Sequence, residues 1–241
     1  MSRKVKFENY KSYHVLNRGI NGNPVFLDKE DYYRFIYLWY ACNHGRPKIN
    51  LWRKDIGKLA DSILKGEEID LIEGKHDPII GVSTVCLMPD HFHSIIVQKA
   101  DRGISTFFQK LGTAYTKYFN WKYKKRGKLF QGPFKVAPIK DVNYLLRVSR
   151  YIHLNPLDVF QPQWREEGVK NWEKSIKFLM NYQFSSLPDY FGIRDSNLIT
   201  NKDLNNLFFS SSPGEDKINY LDFLIEWEKK ELKSLKSLIL E

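Results

Sequence analysis

Cysteine is scarce: Cys42 and Cys86 are the only two in 241 residues, and each sits in an apolar pattern. A disulfide framework is therefore excluded as the basis of the fold. Long apolar runs are missing as well, since none approaches the roughly 18 residues that a membrane span needs. The opening stretch Met1-Ser-Arg-Lys-Val-Lys-Phe-Glu8 lacks the apolar core of a secretory signal, so a cytoplasmic location is the expectation. Internal repeats are absent. The most telling shortage is of acids. Between Arg102 and Arg150 the only one is Asp141, against twelve Lys and Arg, so this stretch carries +11 and the remainder about −1 of a net +10. A charge confined to one segment fits a nucleic-acid backbone better than a membrane, because no helix sets a clean basic face against an apolar one.

What is present is globular: 42% hydrophobic and 15% aromatic residues, enough to build a real core. Cys86-Leu-Met-Pro-Asp-His-Phe-His-Ser-Ile-Ile-Val97 organises the rest. Val82–Leu87 and Phe92–Val97 read as two strands joined at Met88-Pro89-Asp90, with Pro89 at the corner because it cannot donate to a ladder. Alternation then puts His91 and His93 on one face and Phe92 on the other. Two imidazoles two residues apart on a strand make half of a metal site, although two histidines at a strand end are more often just polar surface.

Around that hairpin the elements fall in order. Ser12–Gly19 reads as a short strand ending in a turn, and Asp28 as the N-cap of a helix running to about Asn43. Residues 46–80 read as an insertion holding an amphipathic helix over Lys54–Leu64 and a loop after it. After Asp101-Arg-Gly103 comes a long helix with an apolar stripe at Ile104, Phe107, Phe108, Leu111, Tyr115, Tyr118 and Phe119. Trp121–Lys128 interleaves aromatic and basic residues, which suits either a solvated loop or a platform for single-stranded nucleic acid. The candidate nucleic-acid contacts are Arg18, Lys122, Tyr123, Lys124, Lys125, Arg126, Lys128, Arg147 and Arg150. Phe134–Ile139 reads as an edge strand if Pro138 is tolerated. Asp141 caps the next helix, buried through Leu145, Leu146, Ser149 and Ile152, and Asn155-Pro156 ends it because a residue before proline avoids helical angles. Tyr151 and Asn155, four apart, share a face away from that stripe. Later come an aromatic turn at Tyr182–Tyr190, a cap at Thr200–Asp203 before a short helix at Leu204–Phe208, a Ser210–Gly214 linker, and a final helix from about Asn219. The final helix is either a lid on the core or a partner surface.

A tyrosine one helical turn before an amide, two histidines and a basic face suggest phosphoryl chemistry. A divalent ion on a phosphate would orient it for in-line attack, with the Asn155 oxygen as a possible third ligand. Completion by water and phosphate oxygens suits Mg²⁺ or Mn²⁺. Tyr151 is favoured as nucleophile over Tyr115, which lies on the apolar stripe, and over Tyr118, whose neighbours Ala114 and Lys122 cannot hold a metal.

His91-Phe-His93 resembles the HUH motif. Together with Tyr13-His-Val-Leu-Asn-Arg-Gly19, Leu87-Met-Pro-Asp-His-Phe-His93 and Arg150-Tyr-Ile-His-Leu-Asn-Pro156, the chain resembles the REP-associated tyrosine transposases, single-strand HUH transposases, over roughly residues 10–192. The resemblance implies an α+β fold: a ferredoxin-like or RRM-like antiparallel sheet with packed helices, here with a helical insertion and a helical C-terminal extension over 193–241. It implies a monomer or homodimer acting on single-stranded or hairpin DNA, a tyrosine that leaves a 5′-phosphotyrosine and a free 3′-hydroxyl, and Mg²⁺ or Mn²⁺. It places the metal ligands on His91, His93 and Asn155 and the nucleophile on Tyr151. Asp90 departs from the family, where Asn is more usual, and the insertion and tail are longer than in compact members. Two other readings remain: a member that binds DNA without transposing, and an RRM-like module whose aromatics stack bases.

Overall fold

The computed structural model describes residues 5–48, 55–70, 72–202 and 220–226. Four strands form an antiparallel sheet: β1 (Ser12–Arg18), β4 (Ile80–Met88), β5 (His91–Gln98) and β6 (Lys135–Pro138), in spatial order β4-β5-β1-β6. Between them run α1 (Lys29–His44) and α3 (Gly103–Lys122), so the chain order β1-α1-β4-β5-α3-β6 is two split βαβ units. This is the ferredoxin-like arrangement expected from the sequence. Asp28 caps α1 through a reciprocal capping box with Asp31. β6 takes the sheet edge, and Pro138 sits at its end, where a missing N–H costs nothing.

The insertion between α1 and β4 holds α2 (Ile56–Leu64) and a two-stranded ladder, β2 (Arg46–Pro47) with β3 (Ile72–Glu73). It is not an appendage: Ile56, Ala60 and Ile63 are buried in the same core as α1 and α3. Residues just after Gly192 also pack inward, with Leu198 and Ile199 in that core and Asn197 N–H donating to the Ile63 carbonyl at 2.9 Å.

Alternation along β5 divides the molecule. Phe92 and Ile96 face the core built by α1, α2 and α3. Ile95 faces a second core built by α4 (Val142–Leu154), α7 (Trp172–Asn181), α8 (Leu187–Tyr190) and the helix Tyr220–Ile225. Two short helices, α5 (Leu157–Phe160) and α6 (Trp164–Glu167), join α4 to α7. Both faces of the sheet are thus covered. The helix Tyr220–Ile225 closes the second core through Tyr220 and Leu224, while Asp203 of the expected cap at Thr200–Asp203, and the whole of the Leu204–Phe208 helix and Ser210–Gly214 linker, lie outside the described residues.

The outer edge of β4 is closed as well. The N–H and C=O of Ile80 bond the Asn43 amide at 2.9 and 3.0 Å. Those of Val82 bond the Thr200 hydroxyl and the Thr200 and Asn201 N–H groups at 3.0 to 3.1 Å. Val85 is matched by Ser186, and Leu87 by the Phe184 carbonyl and the Tyr182 hydroxyl.

Candidate active site

β5 presents His91 and His93 side by side, ring centroids 5.0 Å apart and planes nearly perpendicular. Each imidazole is anchored through Nδ1. His91 Nδ1 lies 2.6 Å from Asp90 Oδ1, and His93 Nδ1 lies 3.0 Å from Nε2 of His14, whose ring stacks on it at 5.3 Å. A ring whose Nδ1 donates in such a bond presents its Nε2 lone pair for ligation. His91 Nε2 is buried with no hydrogen-bond partner. Burial raises a carboxyl, but the bonds from His91 and the charge of Arg18, 2.8 Å away, outweigh it and hold Asp90 below its usual range. Burial lowers His93 well below the ordinary imidazole value, and lowers His14 to about 4. Both shifts favour the neutral ring, the form that binds a metal.

α4 brings the other half. Tyr151 meets His93 edge-on, ring centroids 5.3 Å apart at 90°. Asn155 follows one turn later, its backbone N–H bonded to the Tyr151 carbonyl at 3.1 Å. Two expectations are corrected here. Tyr151 and Asn155 were expected off the buried stripe, yet they are 1% and 0% exposed. α4 is wedged between the sheet and the later helices, so its last two turns are covered on every side. Asn155 was also expected to leave helical angles before Pro156, but it stays helical at φ −50°, ψ −39°. The steric bias before proline is a preference, and here Asp158 N–H caps the Asn155 carbonyl at 2.9 Å and the chain runs on into α5.

Asn155 Oδ1 accepts from the Arg165 guanidinium at 2.7 Å, while its Nδ2 is buried without a partner. Arg165 is also bonded to Asp158 and lies 5.0 Å over the Tyr151 ring. Neither Arg165 nor His14 was singled out from the sequence. His14 sits within a quoted motif but at no ligand spacing, and Arg165 reaches the site from a four-residue helix with no periodic signal. His153, inside the same motif as Tyr151, serves the core: its ring nitrogens meet Tyr220 Oη at 2.5 Å and Ser186 Oγ at 2.8 Å.

The structure divides the candidate nucleic-acid contacts. Lys122 does not offer its charge outward: its ammonium is bound to Asp28, Glu30 and the fully buried Asp31 at 2.8 to 3.3 Å. The Tyr123 hydroxyl is committed to Asp31 and Asp28. Arg150 is buried, donating to the Phe223 carbonyl at 2.7 Å and lying 4.1 Å over the Phe223 ring. These three serve the fold because the acids at the start of α1 and the helix Tyr220–Ile225 compete for them. Lys124, Lys125, Arg126 and Lys128 remain exposed, Arg147 is half-buried, and Arg18 is exposed while paired with Asp90. The exposed run follows α3, on the sheet face opposite to Tyr151.

Residues 46–155 match the family of IS200-like transposases. The matched segment runs from β2 to Asn155 and so takes in both histidines, Tyr151 and Asn155. No curated relative matches the chain. Among solved structures, a REP-associated tyrosine transposase bound to a REP hairpin is similar at 14% identity and a TM-score of 0.46, covering 91% of this chain and 99% of that one. Among the described residues, no three His, Cys, Asp or Glu side chains are placed to hold a metal, and no helix is long and apolar enough to cross a membrane.

Proposed function

We propose that this chain cleaves and rejoins single-stranded DNA, hairpin-bearing strands included, through Tyr151. The observation that carries the reading is the edge-on packing of Tyr151 against His93, with Asn155 one turn on and both histidines anchored at Nδ1. The phenol oxygen attacks a backbone phosphorus. A Tyr–O–P bond forms, the P–O3′ bond breaks, and the phenol proton leaves as the departing 3′-oxygen gains one. The product is a 5′-phosphotyrosine and a free 3′-hydroxyl, and the reverse step joins a new end.

The donor set fits a divalent ion: His91 and His93 through Nε2 and Asn155 through Oδ1 would hold Mg²⁺ or Mn²⁺. A carbonyl oxygen has two lone pairs, so Asn155 can keep its bond from Arg165 while it ligates. The ion, when bound, supplies Lewis-acid polarisation of the phosphate. Asp90 and His14 hold the imidazoles in the ligating tautomer, and Arg165 offsets negative charge where the phenol and phosphate meet. Tyr115 and Tyr118 are tied down elsewhere, donating to the Val25 carbonyl and to Asp31, on the far side of the sheet. A pure binding module that stacks bases on an open sheet is disfavoured, because helices cover both faces.

The test is incubation with hairpin DNA bearing a single-stranded flank and Mg²⁺, followed by a search for a covalent adduct. Tyr151→Phe should fold and bind DNA yet form none, and chelation should block the adduct without unfolding the protein. An adduct on that variant, or a nucleotide mapped to Tyr115 or Tyr118, would overturn the mechanism.

A further inference from the structure

Behind the histidine strand, on the face away from Tyr151, a groove of about 810 Å³ runs between α3 and the segment Gly127–Phe134. Its floor is aromatic: Phe92, Phe108, Phe130 and Phe134. Phe92 lies between His91 and His93 in sequence, so the groove and the candidate active site share one strand and are separated by the thickness of the sheet. The rim is polar. Ser105, Gln109, Thr113 and Thr116 line it, and their side chains make no hydrogen bond among the described residues. The only charged residues in the lining are Lys117 and Lys128, and neither is ion-paired among the described residues. The walls are fixed, with Asn120 Nδ2 donating to the Gly127 carbonyl at 2.9 Å and Asn17 Nδ2 to the Gly132 carbonyl at 3.4 Å.

An apolar floor, and a rim of uncommitted donors and acceptors whose charges are all cationic, are the three things an unpaired nucleotide needs for its base faces, base edges and phosphates. A protein partner of ordinary composition would bring cations as well as acids, and the groove has no acid to meet them. We propose that this groove binds unpaired nucleotides of the DNA strand on which the protein acts, with the bases turned toward the phenylalanines and the phosphates toward Lys117 and Lys128. The proposal rests on the reading of the chain as a single-strand DNA-processing protein. It adds where the flank beyond the reacting phosphate is held: the strand passes the β6 edge of the sheet and enters the groove behind it.

Gly112 offers a clean perturbation. It lines the groove from inside α3, and a Cβ there would meet nothing within 4 Å. Gly112→Leu fills the groove, and leucine is the better helix former, so the fold should be retained. Affinity is read by fluorescence anisotropy on three DNAs: a hairpin with a flank of thymidines, the same hairpin with an abasic flank, and a blunt hairpin. The wild-type protein should prefer the thymidine flank to the abasic one by about tenfold or more, the scale of a stacked base or two. Gly112→Leu should erase that preference at an unchanged melting temperature and leave the blunt hairpin untouched. A preference that survives in the folded variant overturns the proposal, as does equal binding of both flanks by wild type. Should Gly112→Leu melt early, Lys117→Gln with Lys128→Gln serves instead, and unchanged flank affinity there is equally fatal. Conversion of a dimer to a monomer by Gly112→Leu would show that the groove holds a second copy, which also overturns it. The adduct assay separates the two readings. An adduct without flank preference removes the groove alone; flank preference without an adduct removes the Tyr151 chemistry alone.

Discussion

Lys122→Met separates a cation that builds the fold from one that meets DNA. In sequence Lys122 heads the run Lys122-Tyr-Lys-Lys-Arg126, and charge alone does not distinguish it from its neighbours. In the structure its side chain is 18% exposed and its ammonium touches Asp28, Glu30 and Asp31. Burial alone would lower the lysine, but the bonds from Asp28 and Asp31 prevail and raise it well above its ordinary value. Removing one partner of a fully buried pair costs about 3–5 kcal/mol. Two facts reduce that figure. The lysine is partly wet, and Asp31 keeps four other donors: the Tyr118 and Tyr123 hydroxyls and the N–H groups of Leu27 and Asp28. About 2 kcal/mol is then expected, which for a chain of this size lowers the melting temperature by about 4–8 °C. The companion variant Lys124→Gln, Lys125→Gln, Arg126→Gln should leave stability nearly unchanged. It should flatten the salt dependence of DNA binding by up to about 0.7 log units per log of salt for each lost contact. Thermal melting and salt titration, run on both variants, give opposite patterns. If Lys122→Met instead melts like wild type and flattens the salt slope, the ion-pair assignment is wrong.

Two other predictions follow from the geometry. Burial drives His153 down to about 3, so the unfolded chain, with an ordinary imidazole near 6.5, takes up the proton first as pH falls. Stability from this group is complete above about pH 6.5 and is lost on acidification, by about 2 kcal/mol at pH 5; urea midpoints of wild type and His153→Gln should converge as pH falls, and parallel curves would refute the assignment. Arg165→Lys keeps the charge but loses the planar fork that holds Asn155 and Asp158; adduct formation should drop by about tenfold or more while DNA affinity changes little, and a large loss of affinity with normal chemistry would sink that role.

Local signals carried most of the fold into view from the sequence. Pro89 between two β-branched runs marked the hairpin, Asp28 and Asp141 marked helix starts, and the two-residue period placed His91 and His93 together. What the sequence concealed was set by tertiary competition. Tyr151 and Asn155 lie off the apolar stripe of α4, and it takes the sheet on one side and the later helices on the other to bury them. Lys122 and Arg150 look like free cations until Asp31 and the Phe223 carbonyl are brought to them from more than seventy positions away. Arg165 could not be found by spacing, because a four-residue helix has no period to read. His14 faces His93 only because β1 and β5 pair with Leu16 opposite His93.

The closed flank of β4 constrains assembly. A strand at the margin of a sheet is a template for pairing with another chain. Here the N–H and C=O groups of Ile80, Val82, Val85 and Leu87 are already taken by Asn43, by Thr200 and Asn201, and by the segment from Tyr182 to Ser186. A second molecule cannot extend the sheet across that side, nor can a misfolded neighbour be recruited along it. The opposite margin, β6, is four residues long and ends in proline. If two copies associate, they cannot do so by fusing their sheets at β4.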